Sequence, residues 1–164
     1  MARDTKRDVG RIDAMIHLIQ DAIDHVRGIA RGLRPVASGP DGFIISIESH
    51  VAEMQRLLGV KIRFRKQGRV LIGDDFAAAH LYQIVKELLN NAVKYGDGSG
   101  ISLQMRDTGR GIRITMKNGV GKKEGRKKAS GIGLNIIRHR ADLIGAKLTV
   151  SQLKDVFCVE LELQ

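Results

Sequence analysis

Glu87, Asn91 and Lys94 are the residues of this chain whose types and spacing most directly suggest chemistry. They lie in ELLNNAVKYG, Glu87 to Gly96, where Leu81, Ile84, Val85, Leu88, Leu89 and Ala92 recur at helical spacing. Such a helix has one apolar face and one face bearing a carboxylate, an amide and an ammonium. Carboxylate and amide oxygens suit a hard cation such as Mg²⁺, and an ammonium suits the phosphates that such a cation accompanies. An ordinary solvated amphipathic helix presents the same face, and the helix alone does not separate the two readings. Two glycine clusters downstream add to it: Gly119 and Gly121 in NGVG, then Gly131 and Gly133 in GIGL.

The rest of the chain must position these groups, and its composition limits how. With 164 residues and 43% apolar content it can bury one core, so one globular domain with an appendage is expected. Two tyrosines, four phenylalanines and no tryptophan leave few base-stacking platforms, which weakens the reading of single-stranded nucleic acid as a partner. The single cysteine, Cys158, excludes an internal disulfide and points to a reducing compartment. No apolar run approaches the roughly 20 residues of a membrane span, and the charged start MARDTKRD is no signal peptide. The expected location is the cytoplasm, with any membrane attachment supplied by segments outside these residues. The net charge of +10 is uneven: residues 1–42 carry seven Lys/Arg against six Asp, and residues 43–164 carry 21 against 12 Asp/Glu. The globular part is therefore the basic part, compatible with nucleic acid, a phosphate-rich ligand or an acidic protein.

Hydropathy divides the chain into elements. Val9, Ile12, Ile16, Ile19, Ile23, Val26, Ala30 and Leu33 step by alternating threes and fours, a heptad seam over residues 1–35 that needs a partner helix. Arg34-Pro35 ends it, and the turn-rich 38–42 marks a boundary before a domain of residues 43–164. A second helix runs from Phe43 to Leu58 with Gly59 closing it. Val60, Ile62 and Phe64 alternate with basic residues as a half-buried strand, and Val70 to Ile72 is a further short strand candidate. The Glu87 helix begins near Asp75, taken as its cap. Two alternating strands, Ile101–Met105 and Ile112–Met116, flank RDTGRG as a hairpin. A glycine- and lysine-rich loop, a helix closed by Gly145 and a final strand pair complete an α+β layered domain.

The order of ELLNNAVKYG, a hairpin, NGVG, a loop and GIGLNIIRHRADLIGAKLTV resembles the ATP-binding domain of bacterial sensor histidine kinases, within the gyrase, histidine kinase and MutL ATPase superfamily. IDHVRGIARGLRP with the following helix looks like the second dimerisation helix of the nitrate-sensor-like subfamily. The resemblance implies a two-layer α/β sandwich, a mixed sheet on about three helices (the Bergerat-type ATP-binding fold), preceded by a long amino-terminal helix. It implies ATP and Mg²⁺ as cofactors, with Asn91 as the metal ligand and Glu87 assisting phosphotransfer. Lys94 and Tyr95 match positions lining the nucleotide pocket. Gly119 and Gly121 match the first glycine motif. Gly131, Gly133 and Leu134 match the phosphate-side motif, where missing side chains let backbone N–H groups approach an anion. Lys122, Lys123, Arg126, Lys127 and Lys128 fall on the lid, as a solvated run or as phosphate contacts.

Two departures from the family pattern bear on function. The family's first motif is DxGxG, whose aspartate accepts from the adenine amino group, and alignment on Gly119 and Gly121 puts Lys117 there. Lysine has no acceptor. The literal DxGxG at Asp107–Gly111 stands 16 residues after Asn91, against 26 for Lys117, and is read as the hairpin turn. Either ATP binding is weakened, or Asn118 supplies an amide oxygen, or adenine is read otherwise. Secondly, neither His17 nor His25 precedes an acidic residue as the family's phosphoacceptor does, so this chain is not expected to phosphorylate itself. The leading expectation is the catalytic portion of a sensor histidine kinase, moving the γ-phosphoryl of Mg-ATP to a histidine outside these residues. It would pair as a homodimer through the amino-terminal helix and serve a response regulator. The alternatives are a degenerate scaffold that no longer binds ATP and an anti-sigma-type serine kinase.

Overall fold

The computed structural model describes residues 36–37, 39–120 and 132–164, with Ile19 alone before them. Three helices lie on one face of a five-stranded mixed sheet. Helix α1 is Gly42–Leu58, β1 is Ile62–Gln67, α2 is Asp75–Tyr95, β2 is Ile101–Asp107 and β3 is Ile112–Gly119. Helix α3, Ile132–Leu143, and the strands β4, Lys147–Leu153, and β5, Val156–Leu163, follow. The strand order is β1-β2-β3-β5-β4, with β1 parallel to β2 and the other neighbours antiparallel. A parallel pair needs a long crossover, which α2 provides.

Periodicity decides which side of each element meets the core. Helix α2 buries Ala77, Ala78, Leu81, Ile84, Val85, Leu88, Leu89 and Ala92, the expected stripe. Leu103 and Met105 on β2 and Ile114 and Met116 on β3 meet it from the sheet, all essentially inaccessible. Burying each such side chain contributes about 1.5–3 kcal/mol. Truncating Leu103 to alanine would cost about 2–5 kcal/mol, because a packed layer cannot collapse into the gap. Helix α1 joins this core through Phe43, Ile44, Ile47, Val51 and Met54. Ahead of it, Val36 is buried and the Ala37 N–H donates to Ser46 Oγ at 2.8 Å, so residues just before the helix are tied to it.

Three local expectations are refined. The helix cap is Asp74, extended at φ −97°, whose carboxylate accepts from the Phe76 N–H at 3.0 Å; Asp75 is the first helical residue. The acidic pair thus serves both as cap and as charge at the positive helix end. Val70–Ile72 is not a strand: Val70 and Ile72 are buried, but the segment is irregular and pairs with no strand. Apolar content alone measures burial and not strand pairing. RDTGRG is the β2–β3 turn, closed by Thr108 N–H to Gly111 O at 2.9 Å, with Asp107 Oδ1 accepting from Gly109 N–H at 2.7 Å. Gly111 has φ +152°, and a Cβ there would collide with the Leu163 carbonyl and stand 2.7 Å from Gln164 Cα. The heptad of residues 1–35 lies outside the described residues apart from Ile19, which is helical and exposed.

Candidate nucleotide site

The polar stripe of α2 turns toward α3 and not toward bulk solvent alone. Glu87 and Asn91, one turn apart and each half-buried, are joined by Asn91 Nδ2 donating to Glu87 Oε1 at 3.1 Å. That bond fixes the amide, so that Nδ2 is the engaged end and Oδ1 is left as an acceptor. Gly133, in the first turn of α3, lies directly against this pair. A Cβ on it would stand 2.9 Å from Glu87 Oε1, 3.2 Å from Asn91 Nδ2 and 3.7 Å from Asn91 Oδ1. Two oxygen-bearing side chains therefore meet a helix start with no side chain between them. A helix start carries unsatisfied N–H groups and partial positive charge, which favours anions. The adjoining oxygens are the donor type that Mg²⁺ prefers, and Mg²⁺ on phosphate needs only one or two protein ligands. Among the described residues no cluster of three His, Cys, Asp or Glu could hold a metal on its own.

The other expected residues divide. Leu134 is half-buried against the core beside Gly133. Lys94 is exposed, its Nζ 5.3 Å from the centroid of the half-buried Tyr95 ring, within cation–π range. Gly121, Gly131 and the basic loop from Lys122 to Lys128 lie outside the described residues.

At the end of β3 the structure sets Lys117 and Asn118 on opposite faces of the strand. Alternation along β3 turns Ile112, Ile114, Met116 and Asn118 inward, and Lys117 is exposed on the opposite face. The alignment counted residues, whereas facing is set by the pleat, and one residue reverses it. Asn118 is the buried polar side chain among the described residues, 6% exposed. Its Nδ2 donates to the Gly119 carbonyl at 3.0 Å, and its Oδ1 is buried with no hydrogen-bond partner. A buried acceptor left unmet costs about 1–3 kcal/mol unless a ligand or water satisfies it. A cavity of about 220 Å³ beside it is lined by Ala92, Val93, Gly96, Lys61 and Ile101; its lining does not include Glu87, Asn91 or Gly133.

Asp97 is a neighbour that sequence reasoning passed over. Its N–H donates to the Gly119 carbonyl at 3.0 Å, its Oδ1 accepts from Ser99 N–H at 2.8 Å, and a Cβ on Gly119 would collide with its carboxylate. The only signal for it was the glycine density of GDGSG, residues 96–100, directly after the helix.

With this geometry in place, similarity to known proteins can be weighed. Residues 77–164 match the family model described as histidine kinase-, DNA gyrase B- and HSP90-like ATPase. The chain is 28% identical over 144 residues to the oxygen sensor histidine kinase NreB of Staphylococcus carnosus, covering 85% of this chain and 41% of that protein. It is 26% identical over 140 residues to the sensor histidine kinase LiaS of Bacillus subtilis, covering 85% and 38%. It thus spans about two-fifths of the length of these relatives. Among solved structures, the Acinetobacter baumannii histidine kinase AdeS superposes with a TM-score of 0.65 at 11% identity, covering 93% of this chain and 79% of that one. The histidine kinase domain of an Erythrobacter litoralis blue-light activated kinase gives 0.56 at 19% identity, covering 76% and 64%. These structural likenesses concern the fold.

Proposed function

Because the chain belongs to the histidine kinase-, DNA gyrase B- and HSP90-like ATPase family, we propose that it is the catalytic, ATP-binding portion of a sensor histidine kinase, transferring the γ-phosphoryl of Mg-ATP to a histidine outside these residues. The observation that carries this reading is Gly133 seated against the Glu87–Asn91 pair at the start of α3. There Asn91 Oδ1 would hold the metal, and the bare helix start at Gly133, with Leu134 beside it, would receive phosphate. Bound Mg²⁺ would supply charge neutralisation between phosphate oxygens. Glu87, already bonded to Asn91, aligns that ligand and is placed to accept a proton from the attacking group. Lys94 and Tyr95 border the nucleotide; Asn118 Oδ1 is the acceptor for the adenine amino group, with Gly119 next to it. The lysine that argued for a non-binding scaffold faces away from the helices.

The proposed partners are a second copy, through the heptad of residues 1–35, and a response regulator. Among the described residues no helix is long and apolar enough to cross a membrane.

Titration calorimetry with Mg-ATP tests the reading, with Asn91→Ala as the comparison. The parent should bind in the micromolar range, and Asn91→Ala should lose at least tenfold in Mg²⁺ but little in EDTA, with an unchanged circular dichroism spectrum. Failure of the parent to bind would remove the nucleotide reading altogether.

A further inference from the structure

The face of the sheet turned away from the helices carries charge that the nucleotide cleft does not use. Arg63 and Arg65 on β1, Arg106 on β2 and Lys117 on β3 are exposed, Arg63 and Arg65 flanking the half-buried Phe64 and the other two alternating with buried residues. The register gathers them. Ser102 is the partner of both Arg63 and Lys117, so the two cations flank one hydroxyl, with strand spacings of about 4.8 Å on each side. Arg65 stands two residues along from Arg63, about 7 Å away.

Pairing is unequal across this face. Arg113 takes both glutamates of β5, with Nε 3.8 Å from Glu160 Oε1 and a second nitrogen bonded to Glu162 Oε1. Arg63, Arg65, Arg106 and Lys117 make no ion pair among the described residues, and no described element covers them. Like charges this close repel, a cost that a partner of opposite sign reverses.

We propose that the outer face of β1, β2 and β3 is a docking surface for a carboxylate-rich protein, held by Arg63, Arg65, Arg106 and Lys117. Three of the four are guanidinium groups, whose planar forks match carboxylates two bonds at a time. Among the outward residues of β1, β2 and β3 no aromatic side chain stands to stack with bases and no aliphatic one to enter a bilayer; the exposed Leu153 and Val156 lie beyond the patch, on β4 and β5. Glu160 and Glu162 bound the patch on its β5 side. A continuous anionic surface such as a duplex or a membrane would meet them unfavourably, whereas a protein epitope can stop short of them. The footprint is that of a small, transient interface, in which charge chiefly raises the rate of encounter. Docking there leaves the cleft between α2 and α3, on the other side of the sheet, open.

The test uses the isotope-labelled 164-residue chain and a synthetic Glu/Ser peptide of about 20 residues, with phosphatidylserine vesicles and duplex DNA as parallel probes at equal ionic strength. The peptide should shift amides of β1–β3. Replacing the four cations by glutamine should weaken peptide binding by at least tenfold. If the fourfold variant does not fold, Arg63→Gln with Lys117→Gln makes the same test, with an expected loss of at least threefold. Shifts confined to other regions, or equal peptide binding by the variants, overturn the proposal. So does tighter binding of vesicles or DNA through the same amides, which would assign the face to phosphate surfaces.

Discussion

Gly133, in the first turn of α3, lies so close to Glu87 of α2 that a Cβ on it would stand 2.9 Å from Glu87 Oε1. The atoms facing it are the ends of flexible side chains, which can move aside cheaply, so this closeness is not a demand of folding. Gly133→Ala should therefore keep or slightly raise the melting temperature, since alanine favours a helix over glycine by about 0.5–1 kcal/mol. Mg-ATP affinity should nevertheless fall about tenfold or more, because the Glu87–Asn91 pair is displaced. Calorimetric scanning and nucleotide titration on one sample separate the effects; a lower melting temperature with unchanged affinity would make Gly133 a packing residue only.

Asn118 and Lys117 make opposite predictions on adjacent positions. Asn118→Leu removes the inward acceptor, and ATP should weaken by several-fold to about tenfold while GTP weakens less. Its stability should change little, because an unpartnered buried oxygen is removed together with the bond to Gly119. Lys117→Asp, on the outer face, should leave the ATP-to-GTP ratio unchanged. A shift of that ratio by Lys117→Asp alone would return the base-reading position to residue 117.

The hairpin turn supplies the control. Asp107→Asn keeps an oxygen for the Gly109 N–H, so ATP affinity should be unaltered. Gly111→Ala should destabilise by about 2 kcal/mol or more, as its Cβ would meet the backbone of Leu163 and Gln164, which cannot move aside as a side chain does. Chemical denaturation measures the second effect. Loss of ATP binding in Asp107→Asn at full stability would make DTGRG the adenine motif after all.

His50 on α1 packs edge-on to Tyr82 of α2, with ring centroids 6.0 Å apart, and its Nε2 is buried without a partner. Burial, and then the nearby Lys86, push its pKa below 6.5, with Glu53 opposing. The folded state thus keeps His50 neutral where the unfolded chain begins to protonate. Its stabilising effect is complete above pH 6.5 and is lost as pH falls from there toward the lowered folded value. His50→Gln should flatten the stability profile between about pH 5 and 7, read by denaturant midpoints at each pH.

Much of the architecture was legible from spacing. The stripe from Leu81 to Ala92 needs a helix, and alternation at 101–105 and 112–116 around DTGRG needs a hairpin, because these periods reflect local geometry that any fold must respect. Glu87 and Asn91 were legible for the same reason, being four apart on one helix. Tertiary structure alone decided what depends on contacts between distant segments. It set Gly133 against that pair, brought Asp97 to Gly119, and tucked Val70 and Ile72 into the core without strand pairing. It also turned Asn118 inward and Lys117 outward. A motif alignment counts residues from the glycines, but strand register is settled by which side chains the sheet can bury, and a step of one exchanges the two faces.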